Sequence, residues 1–150
     1  YWDDPERTAK EIDAAHWIKS GDIATMDEDG YLRIVGRIKD MIIRGGENIY
    51  PTEIEKFLYG NPKIEEVEVF GVPDAKYGEE VAAWIKLGEG ETASAEDIRK
   101  FCEGKLSHFK IPRYIKFVHE FPMTVTGKVK KFVMRERMAA ELGLAPKEPA

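Results

Sequence analysis

Polar and apolar positions along the chain change period several times, and each change predicts an element. Asp4-Pro5 has the form of an N-cap and first helical residue, which predicts a short helix through Thr8 to Ile12. Ile23 to Met26 and Tyr31 to Val35 are β-prone runs joined by Asp27-Glu28-Asp29-Gly30, the signature of a hairpin. Gly36-Arg37-Ile38-Lys39-Asp40 interrupts the pattern with glycine and charge, as a boundary or hinge would, ahead of the apolar run Met41-Ile42-Ile43. Pro51 opens a helix whose Ile54, Phe57 and Leu58 share one face, and Gly60 with Asn61-Pro62 stops it. Val67 to Val72 and Val81 to Leu87 predict strands around the turn-rich stretch 73–78.

Ser94 with Asp97 marks the start of a second helix in this part, with Ile98, Phe101, Cys102 and Leu106 on one face and Gly104 inside it at a cost of about 1 kcal/mol. A strand from Tyr114 to His119, a loop from Phe121 to Gly127, and a basic helix from Lys130 to Leu142 complete the pattern, with a frayed tail after Gly143. From Asp40 the order is β-α-β-β-α-β-α, which predicts an α+β fold: a small sheet of about three strands covered by helices. Residues 1–36 offer only a helix and a hairpin, too little to pack as an independent unit.

Composition narrows the class. The 150 residues are 43% hydrophobic and 34% charged, enough for one domain, or a small domain with a piece of its neighbour. No window of ~18 apolar residues exists, and the start lacks the order of a signal peptide, so a soluble protein without a membrane span is expected; the single cysteine points to a reducing, cytoplasmic compartment. One cysteine, Cys102, allows neither an internal disulfide nor a cysteine zinc cage, and three scattered histidines predict no metal site. The net charge of −5 is uneven: Arg99 to Arg137 holds eleven bases against three acids. Such a segment serves a polyanion or is a solvated face.

Neither G-x-x-x-x-G-K-[ST] nor G-x-G-x-x-G occurs, which excludes the standard phosphate cradles. Four other places carry candidate chemistry. Ser20-Gly21-Asp22 fits a carboxylate for a vicinal diol, or a plain turn. Arg37 in the 36–40 stretch offers a planar fork to phosphate or ribose oxygens, or lies in a solvated linker. Arg44-Gly45-Gly46-Glu47-Asn48 lets a backbone approach a ligand closely, or is a tight turn. Thr126-Gly127-Lys128 puts an ammonium on a glycine-hinged loop, suited to negative charge developing in acyl or phosphoryl transfer, or to no more than a surface lysine. Cys102 reads as core packing and His119, alternating with Ile115 and Phe117, as a structural strand residue, His108 lies in a polar connection, and Trp2, Trp17 and Trp84 are expected to anchor packing.

In order and spacing, these places resemble the C-terminal part of the acyl-adenylate-forming enzymes: acyl-CoA synthetases, luciferases and peptide-synthetase adenylation domains. Trp17-Ile18-Lys19-Ser20-Gly21-Asp22-Ile23-Ala24 is similar to the family's ribose-binding motif, and Gly36 through Pro51 to its hinge motif. Leu106-Ser107-His108-Phe109-Lys110-Ile111-Pro112 and Phe121 through Val129 resemble its two closing motifs. Coverage runs from Trp2 to Leu142, and the wording is closest to medium-chain fatty acyl-CoA synthetases.

The resemblance implies a two-step reaction. A carboxylic acid and ATP give an acyl-adenylate and pyrophosphate; coenzyme A then displaces AMP to form a thioester. It further implies that Asp22 holds the ribose hydroxyls, Arg37 assists at ribose or phosphate, and Lys128 is the catalytic lysine of adenylation. Lys39 falls at the hinge about which the C-terminal domain rotates, and Gly45, Gly46 and Glu47 line the CoA tunnel after rotation. Residues 1–36 are then the tail of a large N-terminal domain, 37–40 the hinge and 41–150 the mobile domain. The ATP phosphate loop, the acid pocket and the Mg2+ ligands belong to that missing domain, so the chain reads as a fragment, silent alone. Competing readings are a ligase for an aryl or other acid and a small basic nucleic-acid-binding domain; the basic stretch lacks the aromatic motifs of the latter, and no nucleic-acid partner is expected.

Overall fold

A computed structural model describes residues 1–144; the tail expected after Gly143 lies, from residue 145, outside the described residues. The chain forms two compact units, residues 1–39 and the part from Asp40 onward. In the first, Asp4 caps helix α1 (Pro5–Glu11), its Oδ1 accepting the Arg7 N–H at 2.9 Å. Strands β1 (Asp22–Met26) and β2 (Leu32–Arg37) pair antiparallel, and a 3-10 turn, Ile38–Asp40, follows. No residue of 1–39 is buried. Trp2, 99% exposed, and Trp17 therefore anchor no packing here, contrary to expectation, because this unit has no core to receive them.

The second unit is a five-stranded mixed sheet between helices. Its elements are β3 (Ile42–Arg44), β4 (Glu47–Ile49), α2 (Pro51–Leu58), β5 (Ile64–Asp74), β6 (Gly78–Leu87), α3 (Ala95–Cys102), β7 (Tyr114–Phe117) and α4 (Lys131–Glu141). The strands run β4-β3-β6-β5, and β7 joins β6 in parallel. Strand β6 is covered on both faces, which is why it reads as a continuous apolar run. Val81, Ala83 and Ile85 pack with Ile54, Leu58, Ile98 and Cys102 beneath α2 and α3, while Ala82 and Trp84 pack with Phe70, Met134 and Met138 beneath α4. Each fully buried aliphatic side chain contributes roughly 1.5–3 kcal/mol. Helix α3 begins at the expected capping box: Ser94 Oγ accepts the Asp97 N–H at 3.2 Å and Asp97 Oδ2 accepts the Ser94 N–H at 2.8 Å.

Three local expectations change. The sheet has five strands rather than about three, because Met41 to Tyr50 folds as a hairpin in which Ile42 and Ile49 face each other in the core. Helix α3 ends at Cys102, so Gly104, at φ +70°, sits beyond it and imposes no helix-interior cost. Strand β7 ends at Phe117, which leaves His119 outside the sheet.

Candidate functional site

The first unit brings Asp22 and Arg37 together. They are partners in the β1–β2 register, and Arg37 Nε donates to Asp22 Oδ1 at 3.1 Å. Ser20 Oγ accepts the Asp22 N–H at 3.1 Å, and the Gly21 carbonyl accepts the Ile38 N–H at 2.9 Å, which ties the start of the hairpin to the residue after its end. The carboxylate is thus oriented by an arginine through one oxygen while both side chains stay partly open to solvent. Two acceptor oxygens beside a cationic fork suit a diol next to a phosphate. Lys39 lies in the 3-10 turn that follows.

In the second unit the Arg44-Gly45-Gly46-Glu47 segment is the β3–β4 hairpin turn, with Arg44 opposite Glu47. Gly45 and Gly46 hold φ of +59° and +91°, values that L side chains rarely adopt. Gly45 N–H donates to the Tyr77 carbonyl at 2.8 Å, and the Arg44 guanidinium lies 4.1 Å from the centre of the Tyr77 ring. Behind the turn, Glu80, 2% exposed, accepts Arg44 Nε at 2.6 Å and Arg113 at 3.5 Å. The hydrogen bond that Arg44 donates to Glu80 raises the Arg44 pKa above its ordinary value. Backbone N–H groups of Tyr77 and Lys76 hold the neighbouring Asp74 below the usual carboxylate range.

Lys128 stands on a separate loop with a fixed base and an open tip. Phe121 is buried at one end, Lys130 N–H reaches the Pro122 carbonyl at 2.8 Å, and Met123 bridges Val129. The Thr124 carbonyl accepts the Gly127 N–H at 3.0 Å, and Thr124 Oγ1 accepts the Lys128 N–H at 3.0 Å. Gly127, at φ +77°, closes the turn. Val125 to Lys128 are exposed, and among the described residues no side chain pairs with the Lys128 ammonium. The adjoining Lys131 is different. Its Nζ sits 2.5 Å from Glu55 Oε1, 3.0 Å from Glu68 Oε2 and 3.0 Å from the Val69 carbonyl, tying α4 to α2 and β5. Burial works against the Lys131 charge, but attraction to Glu55 and Glu68 outweighs it and raises the pKa; burial also raises that of Glu68.

No hydrogen bond or ion pair joins the glycine turn to the lysine loop among the described residues. The buried acids were not foreseen as candidates. Glu79 and Glu80 directly precede an apolar run of the same strand, and two charges ahead of Val81-Ala82-Ala83-Trp84-Ile85 are the signal that could have found them. Nor is the basic segment a free cationic face: Arg99, Lys110, Arg113, Lys116, Lys131 and Arg135 each pair with an acid. Cys102 is buried, and burial pushes its thiol up to about 11, so it packs rather than reacts.

A small α+β unit that carries a glycine turn on one hairpin and an exposed lysine on another loop, preceded by a carboxylate–arginine hairpin, matches one class. The model of the AMP-binding enzyme C-terminal domain matches residues 53–128, and the chain belongs to that family. It is 56% identical over 144 residues to the medium-chain acyl-CoA ligase ACSF2, mitochondrial, of Bos taurus, covering 96% of this chain and 23% of that protein. To the putative acyl-CoA synthetase YngI of Bacillus subtilis it is 54% identical over 137 residues, 91% of this chain and 25% of that one. Among solved structures, ATP-bound MatB from Rhodopseudomonas palustris superimposes with a TM-score of 0.86 at 39% identity, over 91% of this chain and 27% of that one. The chain thus spans about a quarter of the length of the curated relatives it matches.

Proposed function

We propose that this chain is the C-terminal part of an ATP-dependent, AMP-forming acyl-CoA synthetase acting on a medium-chain fatty acid. The observation that carries the reading is the Lys128 ammonium, unpaired among the described residues, at the exposed tip of an anchored, glycine-closed loop. In the first half-reaction a carboxylate oxygen of the acid attacks the α-phosphorus of ATP, the bond to pyrophosphate breaks, and negative charge gathers between the two groups. Lys128 offsets that charge, as a preorganised cation placed where charge develops. Asp22 accepts the ribose hydroxyls, and Arg37, which donates to that carboxylate, assists at ribose or phosphate. In the second half-reaction the CoA sulfur attacks the acyl carbon, the bond to AMP breaks and the thiol proton is released.

In this reading the lysine loop serves the first half-reaction and the glycine turn the second, and the C-terminal domain pivots at Lys39 between them. Gly45, Gly46 and Glu47 then border the path of the CoA thiol. Mg2+ enters with ATP, through ligands outside this chain. Identity of 54–56% to relatives named for acyl-CoA ligation and synthesis supports the medium-chain reading over an aryl acid. Internal pairing of the basic segment counts against a nucleic-acid-binding domain.

The test is thioester formation by the full-length protein with ATP, CoA and a panel of acids. Octanoate should support AMP and thioester release and benzoate should not, while the 150-residue chain alone should be silent. Preference for benzoate would overturn the substrate, and activity of the chain alone would overturn its dependence on a larger domain. Cytoplasmic residence belongs to the proposal on the strength of the single thiol. The vertebrate relatives are named mitochondrial, so fractionation that finds the full-length protein in mitochondria would overturn this part.

A further inference from the structure

We propose that Glu80 is a positioning residue for thioester formation, its buried carboxylate setting the orientation of the Arg44-Gly45-Gly46-Glu47 turn. This inference rests on the assignment of that turn to the CoA path.

The backbone alone aims the turn weakly. Strand β3 has three residues, β4 is the edge strand, and β3 meets β6 at a single residue pair, Arg44 with Gly78. Ile42 and Ile49 hold the base of this two-stranded ribbon in the core, but its turn end meets the β6 ladder at that one pair, and short ribbons twist easily. Side chains of β6 supply what the ladder does not. Glu79 Oε2 accepts the Ile43 N–H at 2.7 Å, and Glu79 also meets Arg135 of α4. Its neighbour Glu80 takes the next residue along, accepting Arg44 Nε at 2.6 Å.

From Glu80 the contacts run without a gap to the glycine. The Arg44 guanidinium, held by the carboxylate, covers the Tyr77 ring at 4.1 Å from its centre. The Tyr77 carbonyl accepts the Gly45 N–H at 2.8 Å. A Cβ placed on Gly45 would lie 3.3 Å from Tyr77 Cδ1, so the turn rests directly on this ring. Arg44, Tyr77, Glu80 and Arg113 also line an open cleft of about 400 Å3, which gives the arginine room to swing away when residue 80 is replaced by one without a carboxylate.

An aliphatic side chain at position 80 would fill the same interior space without desolvating a charge, and buried ion pairs are poor stabilisers on those terms. What the carboxylate adds is direction: a fixed acceptor dictates where the guanidinium lies and hence where Tyr77 and Gly45 lie. Glu80 touches neither the acid nor the adenylate in this account and acts only through Arg44.

The experiment uses the full-length enzyme and follows the half-reactions separately, pyrophosphate exchange for adenylation and preformed octanoyl-adenylate with CoA for thioester formation. Glu80→Gln should lower kcat of the thioester step by about tenfold or more while exchange stays within about twofold. Gly46→Ala is run beside it as a direct distortion of the turn. If Gly46→Ala depresses the thioester step and Glu80→Gln does not, the inference is overturned and the reading of the turn stands. If neither variant moves that step, the reading of the turn falls, and the inference with it. Parallel loss of both half-reactions together with a lowered melting temperature would show a merely structural role and also overturn it. Should Glu80→Gln fail to fold, Arg44→Gln, at a part-buried surface position, carries the same prediction and the same contrary outcomes.

Discussion

Replacing Lys131 by methionine removes the cation from between Glu55 and Glu68 while keeping an apolar stem of similar length. Breaking one side of a buried ion pair costs about 3–5 kcal/mol, and because these side chains retain some exposure the expected loss is about 3 kcal/mol. With a urea slope of about 2 kcal/mol/M, the midpoint should fall by about 1.5 M. The sign of the pH dependence follows from the two raised pKa values. The raised pKa of Lys131 means that its contribution is complete below its unfolded value, hence at neutral pH, and is lost only in strong alkali as pH rises through the folded value. For Glu68, a raised pKa means that folding favours the protonated form, so its charge is a burden at neutral pH that eases as pH falls toward the unfolded carboxylate value. Without Lys131 the attraction that moderates this burden is gone, leaving the repulsion from Glu55 and Asp40. The deficit of the variant should therefore be smaller at about pH 5 than at about pH 7.5. Urea unfolding of both proteins, read through the fluorescence of Trp84, measures this, because Trp84 is 3% exposed while Trp2 and Trp17 already face solvent. A deficit below about 1 kcal/mol, the scale of a surface pair, or one equal at both pH values, would refute the reasoning.

The Cys102 thiol, held up at about 11 by burial, should resist iodoacetamide in the native chain near neutral pH and react fully in urea; rapid native labelling would contradict the packing role. Lys39→Pro in the full-length enzyme should stiffen the pivot and slow thioester formation while sparing pyrophosphate exchange. Unaffected thioester formation would remove Lys39 from the hinge.

Much of the framework could be read from local signals. Helices α2 and α3 announce themselves through Pro51 and the Ser94–Asp97 box, and the long strands through unbroken apolar runs. The β3–β4 hairpin was hidden because its strands are three residues long and a single core residue in each, Ile42 and Ile49, holds it down. Arg44 to Glu47 therefore reads as a place of unusual backbone or a tight turn, without the flanking strands that make it a hairpin. The candidate residues Asp22, Arg37, Gly45, Gly46 and Lys128 were visible in short motifs. Glu79, Glu80 and Lys131 were not, because their partners come from remote segments: Glu80 meets Arg44 and Arg113, and Lys131 meets Glu55 and Glu68. A buried charge is defined by what surrounds it, and a linear pattern shows only that the charge is present.

On the proposed function, Lys128 acts in one half-reaction and not the other. In the full-length enzyme, Lys128→Ala should cut ATP–pyrophosphate exchange by about a hundredfold or more and leave thioester formation from preformed acyl-adenylate within about threefold of wild type. Equal losses in both half-reactions, or exchange that continues undiminished, would contradict it.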